Sequence, residues 1–300
     1  MPSQTVTTSL PRTKAATRPI VDAARLSRAS FAARRASLIR RSDVGGSICP
    51  TKRHRARRDS GLYEGAVKQL RVDIWSDVVC PWCYVGKRRF ETAVRQFVHG
   101  DAVDVVWRAF ELDSAPTSDR PQDLSYAQQL AAKYQTTLPR AEQMIRMMTS
   151  TAEQEGLEFH FERVRAGNTF DAHRVLHLAS ARSVQDAVNE RFMRGFMTEG
   201  CAVEPEVLVR LAVDAGLDEQ ETRAVLATDV YGDDVRADEE EAQAIGINGV
   251  PFFVLGARYA VAGAQPAEIL VEAMRRAWES INDVELEAEP VEGALPDGCA

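Results

Sequence analysis

The stretch Cys80-Pro81-Trp82-Cys83 decides how this sequence of 300 residues is interpreted. It follows a short apolar run at residues 72–75, which predicts a β-strand at 71–75, and precedes apolar residues at helical spacing from Phe90 to Val98. Proline is tolerated in the first turn of a helix, so the motif is placed at a strand-to-helix junction. Two cysteines at this spacing and in this setting indicate a dithiol that cycles with its disulfide.

The positions of the two sulfurs along the predicted helix give them separate roles. Cys80 would lie at the N-terminal end, where free N–H groups and the helix dipole favour the nucleophilic thiolate. Cys83, one turn further on, would be shielded and would resolve the mixed disulfide. Half of a zinc site and a pair of inert thiols are the alternatives. Zinc is disfavoured because Cys49, Cys201 and Cys299 are isolated in the sequence.

The composition is that of a globular chain with one working cysteine pair. The hydrophobic share of 45% is ordinary, and no apolar run is long enough to predict a transmembrane helix. Five cysteines are too few for a disulfide scaffold and suit a reducing compartment. We therefore expect a cytoplasmic protein with no membrane partner and no specific nucleic-acid partner.

The net charge of −7 conceals two different regions of chain. Residues 1–60 hold fourteen Lys/Arg against three Asp/Glu, whereas the remainder holds 23 against 41. The basic segment lacks the apolar core of a secretory signal peptide. We predict that residues 1–66 form a disordered basic extension outside the fold. The alternatives are an organelle transit peptide, a nucleic-acid-binding arm, or a start of translation further along the chain.

The rest of the chain predicts a small α/β unit that is interrupted by helices. Two predicted strands flank the first helix and make residues 67–113 a βαβ unit. Residues 114–217 carry stretches with apolar residues three and four apart, which predict an all-helical insertion. Residues 218–282 predict a helix, a β-hairpin and a last helix, before an acidic disordered tail at 283–300. The two parts of the α/β unit must combine, because neither could bury a sheet alone.

A second motif, Gly249-Val250-Pro251-Phe252-Phe253, begins the predicted hairpin. Proline is allowed at the first position of a strand, where no ladder hydrogen bond is lost. If the Val250–Pro251 bond is cis, the backbone of Val250 can meet a bound chain as an edge strand would. The alternative is a trans proline that only starts the strand. Beside a cysteine pair and a hairpin, the first interpretation is favoured.

Together these motifs resemble the FrnE-type branch of the DsbA family. The resemblance covers about residues 70–282 and is carried by residues 72–87, residues 246–253, Asn168-Thr169-Phe170-Asp171-Ala172-His173-Arg174 and Thr198-Glu199-Gly200. This branch is related to 2-hydroxychromene-2-carboxylate isomerases and kappa-class glutathione transferases. The resemblance implies a thioredoxin fold with an inserted helical domain, thiol–disulfide oxidoreductase activity, and a cis-proline at Pro251.

The resemblance also implies which residues form the site. The expected catalytic residues are Cys80, Cys83 and Pro251, and the residues expected to bind substrate are Pro81, Trp82, Val250, Asn168 and His173. Substrates would be protein or small-molecule thiols and disulfides. No tightly bound cofactor and no metal are expected, and glutathione is a candidate redox partner. Helix capping is the alternative role for Asn168. His173 and His177 are spaced i, i+4, but no third metal ligand is evident.

One position departs from the thioredoxin pattern. Thioredoxins carry a buried carboxylate six residues before the first cysteine, whereas this chain has Ile74 there and Asp73 one residue earlier. Two other functions compete with disulfide exchange. A glutathione-dependent isomerase or transferase would use a single residue at position 80, and the intact Cys83 argues against it. A client-binding chaperone would use the helical domain without redox chemistry.

Overall fold

The computed structural model describes residues 20–22, 69–116, 124–165 and 167–286. The strands are β1 (Ile20–Asp22), β2 (Leu70–Ser76), β3 (Val103–Ala109), β4 (Phe252–Leu255) and β5 (Tyr259–Ala262). They form one sheet in the order β1-β5-β4-β2-β3. β2 is parallel to β3, and the other neighbouring pairs are antiparallel. Strand β2, which pairs with both β3 and β4, therefore joins the first and the second parts of the α/β unit.

The helices cover both faces of the sheet and form a separate layer beside it. They are α1 (Pro81–Gln96), α2 (Tyr126–Lys133), α3 (Leu138–Gln154), α4 (Phe170–Ala181), α5 (Gln185–Met197), α6 (Pro205–Asp214), α7 (Glu219–Leu226), α8 (Gly232–Ala244) and α9 (Ala267–Leu286). Successive side chains of β2 point to opposite faces. Ile74 packs into the core shared with α1 and α9, whereas Trp75 packs with Ala242 of α8.

The helices between β3 and α8 share one hydrophobic core. Phe192, Phe196 and Leu211 are fully or almost fully buried in it. Helix α7 packs on α4 and α6, so the helical unit reaches Leu226, beyond the predicted boundary at residue 217. The same core includes Cys80 and Cys83 from the start of α1. The cysteine pair consequently lies where the sheet and the helical unit meet.

One strand lies where we predicted no fold, within residues 1–66. β1 runs antiparallel to β5, with Ile20 opposite Val261 and Asp22 opposite Tyr259. Ile20 also packs against the core beneath α9. The prediction of disorder is wrong for these three residues, because so short a strand leaves no periodic pattern to detect. The rest of the basic extension, with Cys49, lies outside the described residues.

The last helix also differs from the prediction. α9 continues to Leu286, so residues 283–286, which we assigned to the disordered tail, are helical. Residues 287–300, with Cys299, lie outside the described part of the chain. Among the described residues, no helix combines the length and the apolar character that crossing a membrane requires.

Candidate active site

The cysteine pair occupies the turn and the first helical turn after β2. Cys80 is the N-cap residue of α1, and the first turn of that helix contains no acidic side chain. The backbone N–H of Cys83 donates to the carbonyl oxygen of Cys80 at 3.0 Å. Cys80 is 5% exposed and Cys83 0%, and both are free thiols. The Cys80 sulfur is thus the more accessible of the two.

The environment of Cys83 keeps its sulfur protonated. Burial raises the pKa of the Cys83 thiol well above its usual range, and the neighbouring Cys80 raises it further. The backbone N–H of Asp77 and the hydroxyl of Ser76 act in the opposite direction, but they do not outweigh burial. Cys80 instead is the N-cap residue of α1 and keeps a small exposed fraction. The two sulfurs therefore lie in different environments.

The loop before β4 lies against the cysteine pair. The Val250–Pro251 peptide bond is cis. The carbonyl oxygen of Val250 lies 3.9 Å from the Sγ of Cys80, which donates to it. This position follows from the register of the sheet, since Phe252 in β4 is opposite Trp75 near the end of β2. The structure thus brings together Cys80, Val250 and Pro251, as the sequence analysis expects.

Side chains that pack with the helical unit lie beside Cys80. Trp82 is half-buried and, like Val250, packs against the hydrophobic core of that unit, and Pro81 is buried. Burial raises the pKa of the Tyr126 hydroxyl, and the charge of Cys80 raises it further, which places this tyrosine close to the reactive sulfur. Tyr126 is the first residue of α2. Aromatic side chains from both units therefore lie near Cys80.

The side chain of Asn168 links two segments of the chain near the site by hydrogen bonds. Its amide Nδ2 donates to Glu111 Oε1 at 2.9 Å and to the carbonyl oxygens of Ser114 and Ala115. Its Oδ1 accepts from the backbone N–H of Phe170 at 2.9 Å. These bonds tie the segment after β3 to the start of α4, so the structure favours the capping alternative for Asn168. Its contact with substrate stays a prediction.

His173 is buried beneath the cysteine turn instead of lining an open surface. Its side chain is 2% exposed, and its Nε2 lies 3.7 Å from Asp77 Oδ1. The other histidine of the i, i+4 pair, His177, has a different partner, Asp238 Oδ2, at 3.1 Å. Within the described residues, no three His, Cys, Asp or Glu side chains converge in a way that could hold a metal ion. The two histidines thus belong to separate polar contacts.

The carboxylates next to β2 do not follow the thioredoxin pattern. Ile74 lies in the hydrophobic core under α1. Asp73 lies on the opposite face of β2 and accepts from Arg108 at 2.9 Å and from Arg71 at 3.0 Å. A different carboxylate, Asp77, lies in the turn before Cys80 and is 1% exposed. Asp77 accepts from the N–H of Leu112 at 2.8 Å, so it connects the cysteine turn to the end of β3.

Several residues of the site escaped the sequence analysis. Asp77 could have been found, since it stands between a predicted strand and the cysteine motif. Gly86 lies against the ring of Pro251, a contact between segments that are far apart in sequence. Tyr126 comes from the helical unit, and Ser76 borders a small cavity that only the folded chain creates. No local pattern marks Tyr126 or Ser76, because tertiary contacts alone bring them to the dithiol.

Comparison with known proteins identifies the class to which this arrangement belongs. The model of the DSBA-like thioredoxin domain family matches residues 71–275. The chain therefore belongs to that family, and both the predicted DsbA family and the predicted thioredoxin fold with a helical insertion are confirmed.

Three relatives illustrate the similarity. The crystal structure of a probable DsbA oxidoreductase from Streptomyces coelicolor is 44% identical, with a TM-score of 0.67, over 77% of this chain and 99% of that one. The uncharacterised protein YwbO of Bacillus subtilis is 29% identical over 191 residues, 62% of this chain and 87% of its own. A 2-hydroxychromene-2-carboxylate isomerase shares the fold at 17% identity and a TM-score of 0.50, over 71% of this chain and 98% of that one.

Proposed function

We propose that this protein is a thiol–disulfide oxidoreductase in which Cys80 attacks and Cys83 resolves. The observation that carries the proposal is the difference between the two sulfurs. Cys80 caps the N-terminus of α1, whereas Cys83 is fully buried and its thiol pKa is raised. Inert structural thiols would not require this division between one reactive and one protected sulfur.

The reaction consists of two exchanges at sulfur. The Cys80 thiolate attacks one sulfur of a substrate disulfide, forms a Cys80–substrate disulfide, and releases the other substrate sulfur as a thiolate. Cys83 then loses its proton and attacks Cys80 Sγ, which forms the Cys80–Cys83 disulfide and releases the second substrate thiolate. Two electrons pass from the dithiol to the substrate. In reverse, the Cys80–Cys83 disulfide oxidises a substrate dithiol.

The site also suggests how a substrate is held. The carbonyl oxygen of Val250 faces Cys80 Sγ at 3.9 Å, and an extended peptide next to this loop could pair with its backbone as an added strand. Trp82 and Tyr126 offer apolar surface on either side. We propose protein or small-molecule disulfides as substrates and glutathione as the redox partner. In a glutathione-poised cytoplasm, reduction or isomerisation is the favoured direction.

A trapping experiment tests this function. The background variant carries Cys49→Ser, Cys201→Ser and Cys299→Ser, so that only the motif can react. In this background, Cys83→Ser should accumulate mixed disulfides with oxidised glutathione or a disulfide-bonded protein, and Cys80→Ser should accumulate none. Mass spectrometry of the acid-quenched protein reads out the adduct.

Two results would contradict the proposal. One is the absence of an adduct on Cys83→Ser together with unimpaired folding. The other is an equal yield of adducts on the two variants, which would mean that the sulfurs do not differ in role. Turnover of a chromene or similar aromatic substrate with glutathione by Cys80→Ser would indicate a glutathione-dependent isomerase instead.

A further inference from the structure

A small cavity with both polar and apolar lining lies between the ends of β2 and β3 and the helical unit. The volume that the centre of a water molecule can occupy in it is about 10 Å³. The residues that line it include Ser76, His173, His177 and Asn189. Ser76 Oγ, His173 Nε2 and both amide atoms of Asn189 are buried, and across the described ranges none of them has a hydrogen-bond partner. Buried polar groups are almost always bonded to protein or to ordered water.

The cavity has the size and the chemistry to bind one water molecule. A single buried water needs roughly 10–15 Å³ of such volume and two to four polar partners. Ser76 Oγ can donate or accept, the Asn189 amide offers a donor and an acceptor, and a neutral imidazole nitrogen does one or the other. One water would therefore satisfy the unpaired groups that border the same space.

Ser76, which lines the cavity, also lies beside the resolving cysteine. Its hydroxyl acts on the Cys83 thiol in the direction that favours the thiolate, although its Oγ is not in hydrogen-bond geometry with a partner in the described residues. On its other side the cavity meets His173, whose Nε2 lies 3.7 Å from Asp77 Oδ1. The order of groups from the sulfur outward is thus Cys83, Ser76, the cavity and His173.

We propose that Ser76, one water in this cavity, and His173 form a relay that removes the proton of Cys83 during resolution. This inference rests on the proposed function, because it concerns the second exchange of that reaction. The proton passes from Cys83 Sγ to Ser76 Oγ as the hydroxyl proton passes to the water and a water proton passes to His173 Nε2. The Cys83 thiolate then attacks Cys80 Sγ, and the substrate leaves as a thiolate.

The relay accounts for the missing thioredoxin carboxylate. Ile74, which stands in its place, is packed in the hydrophobic core and cannot accept a proton. Asp73 is bonded to two arginines on the far face of the sheet. Cys83 nevertheless must lose its proton from a buried position. A path through Ser76 and the cavity gives that proton a destination within the site.

The other charged groups near His173 are held in pairs. Arg108, which also lines the cavity, bonds to Asp238 at 2.8 Å, and Asp238 also binds His177. From α5, Asp186 is engaged by the ammonium group of Lys87 at 3.1 Å. With Asp77 and Cys83, these are the titratable and charged neighbours that the pH profile of the relay will reflect.

Stopped-flow kinetics with dithiobis(nitrobenzoate) separate the two exchanges. The protein is the reduced triple variant Cys49→Ser, Cys201→Ser, Cys299→Ser. Attack by Cys80 releases the first coloured thiolate at a rate proportional to reagent concentration. Resolution by Cys83 releases the second at a rate independent of reagent concentration. The first phase reports Cys80 and the integrity of the fold, and the second phase reports the removal of the Cys83 proton.

We expect Ser76→Ala and His173→Gln to slow the second phase at neutral pH by about ten-fold or more, in line with the usual effect of a positioned proton acceptor. The pH at which the second phase reaches half of its maximal rate should rise in both variants. The first phase should change by less than about two-fold. Asn189→Leu, which removes the amide that would bind the water, should slow the second phase in the same way.

Ser280→Ala is the matched control, since Ser280 is also a buried serine but lies on α9 and bonds to the carbonyl of Ala277 at 2.8 Å. It should leave both phases unchanged. A second phase with unaltered rate and pH profile in Ser76→Ala and His173→Gln would overturn the relay. Failure of the proposed function has a different signature, because the first phase itself would then be absent in the triple variant.

Discussion

Gly86 in α1 lies directly against the ring of Pro251. A Cβ atom added at Gly86 would be 2.7 Å from Cγ of Pro251, closer than real Cβ atoms approach another atom. The obstacle is a proline ring, which cannot swing aside as the end of a long side chain would. Glycine at position 86 therefore lets the helix that carries both cysteines approach the loop that faces them.

The first prediction concerns this approach. Gly86→Ala should destabilise the protein by about 1–3 kcal/mol through overpacking. Alanine favours a helix over glycine by about 1 kcal/mol, which will offset part of the loss. Chemical denaturation followed by circular dichroism measures the change. Gly249→Ala is the control, because a Cβ there meets nothing within 4 Å. A Gly86→Ala variant as stable as the wild type would show that α1 can shift freely.

The second prediction concerns alkaline pH and the reduced protein. The pKa of Cys83 is raised in the folded state, mainly by burial, so the folded state holds its proton more tightly than the unfolded state does. The resulting stability is complete below the unfolded-state pKa of about 8.5 and is lost as the pH rises towards the folded value. The free energy of unfolding should thus fall between about pH 8 and 9.5, below the range in which tyrosine and lysine titrate.

Cys83→Ala tests the source of that decrease. Each proton taken up by folding contributes at most about 1.4 kcal/mol per pH unit, and the alanine variant should lose this contribution to the slope. Urea titrations of both proteins under reducing conditions provide the comparison. If the two slopes are equal over this interval, Cys83 is not the group that titrates.

The third prediction concerns Asp238. Burial acts to raise the pKa of this carboxyl, but His177 and Arg108 lower it more, and the net pKa is below the usual value. Its contribution to stability is therefore present above the unfolded-state pKa of about 3.9 and is lost as the pH falls through the folded value. Asp238→Asn leaves the Arg108 charge without one of its two buried partners, and we expect a loss of about 3 kcal/mol at pH 7.

Glu240→Gln on the same helix is the control, because Glu240 is exposed and such surface changes usually alter stability by less than about 0.5 kcal/mol. Denaturant titrations at pH 7 and at about pH 2.5, well below the unfolded-state pKa, measure both variants. The loss caused by Asp238→Asn should be smaller at the lower pH. An equal loss at the two pH values would mean that the charge of Asp238 does not matter for folding.

The fourth prediction concerns the strand that the basic segment contributes. β1 pairs with the outer edge of β5, with Val21 opposite Ala260. Removing residues 1–66 would leave that edge without this partner, and unpaired edges favour association between chains. The truncated protein should form dimers or larger species in size-exclusion chromatography at micromolar concentration. Faster amide hydrogen exchange in residues 259–262 should accompany the change, and unchanged exchange would contradict the pairing.

The sequence was sufficient to predict the fold because its strongest signals are local. The cysteine motif lies between a strand pattern and a helix pattern, and residues 249–253 predict the start of the hairpin. Both motifs depend on residues that are neighbours in the chain. β1 could not be predicted in this way, since three residues do not establish an alternating pattern and its pairing with β5 joins distant segments.

The site was predictable only in part for the same reason. The cysteines and Pro251 belong to motifs, whereas the surroundings of Cys83 are built from β2, α4 and α5. His173 was noticed as one of two histidines at helical spacing, but the spacing does not show that its partner is Asp77. A charged residue in the sequence does not reveal whether its side chain is exposed. The position of Lys87 on a helix predicts a solvated side chain, yet that side chain is 2% exposed and bound to Glu91 and Asp186.

The two halves of the site also differ in when they are made. Cys80 and the carbonyl of Val250 that it contacts are 170 residues apart in the chain. At translation rates of about 5–20 residues per second, the ribosome adds that length in about 10–30 s. During this interval β3 has been synthesised but β4 has not, and the cysteines emerge without the loop that later lies against them. A nascent chain therefore exposes its dithiol before the second half of the site exists.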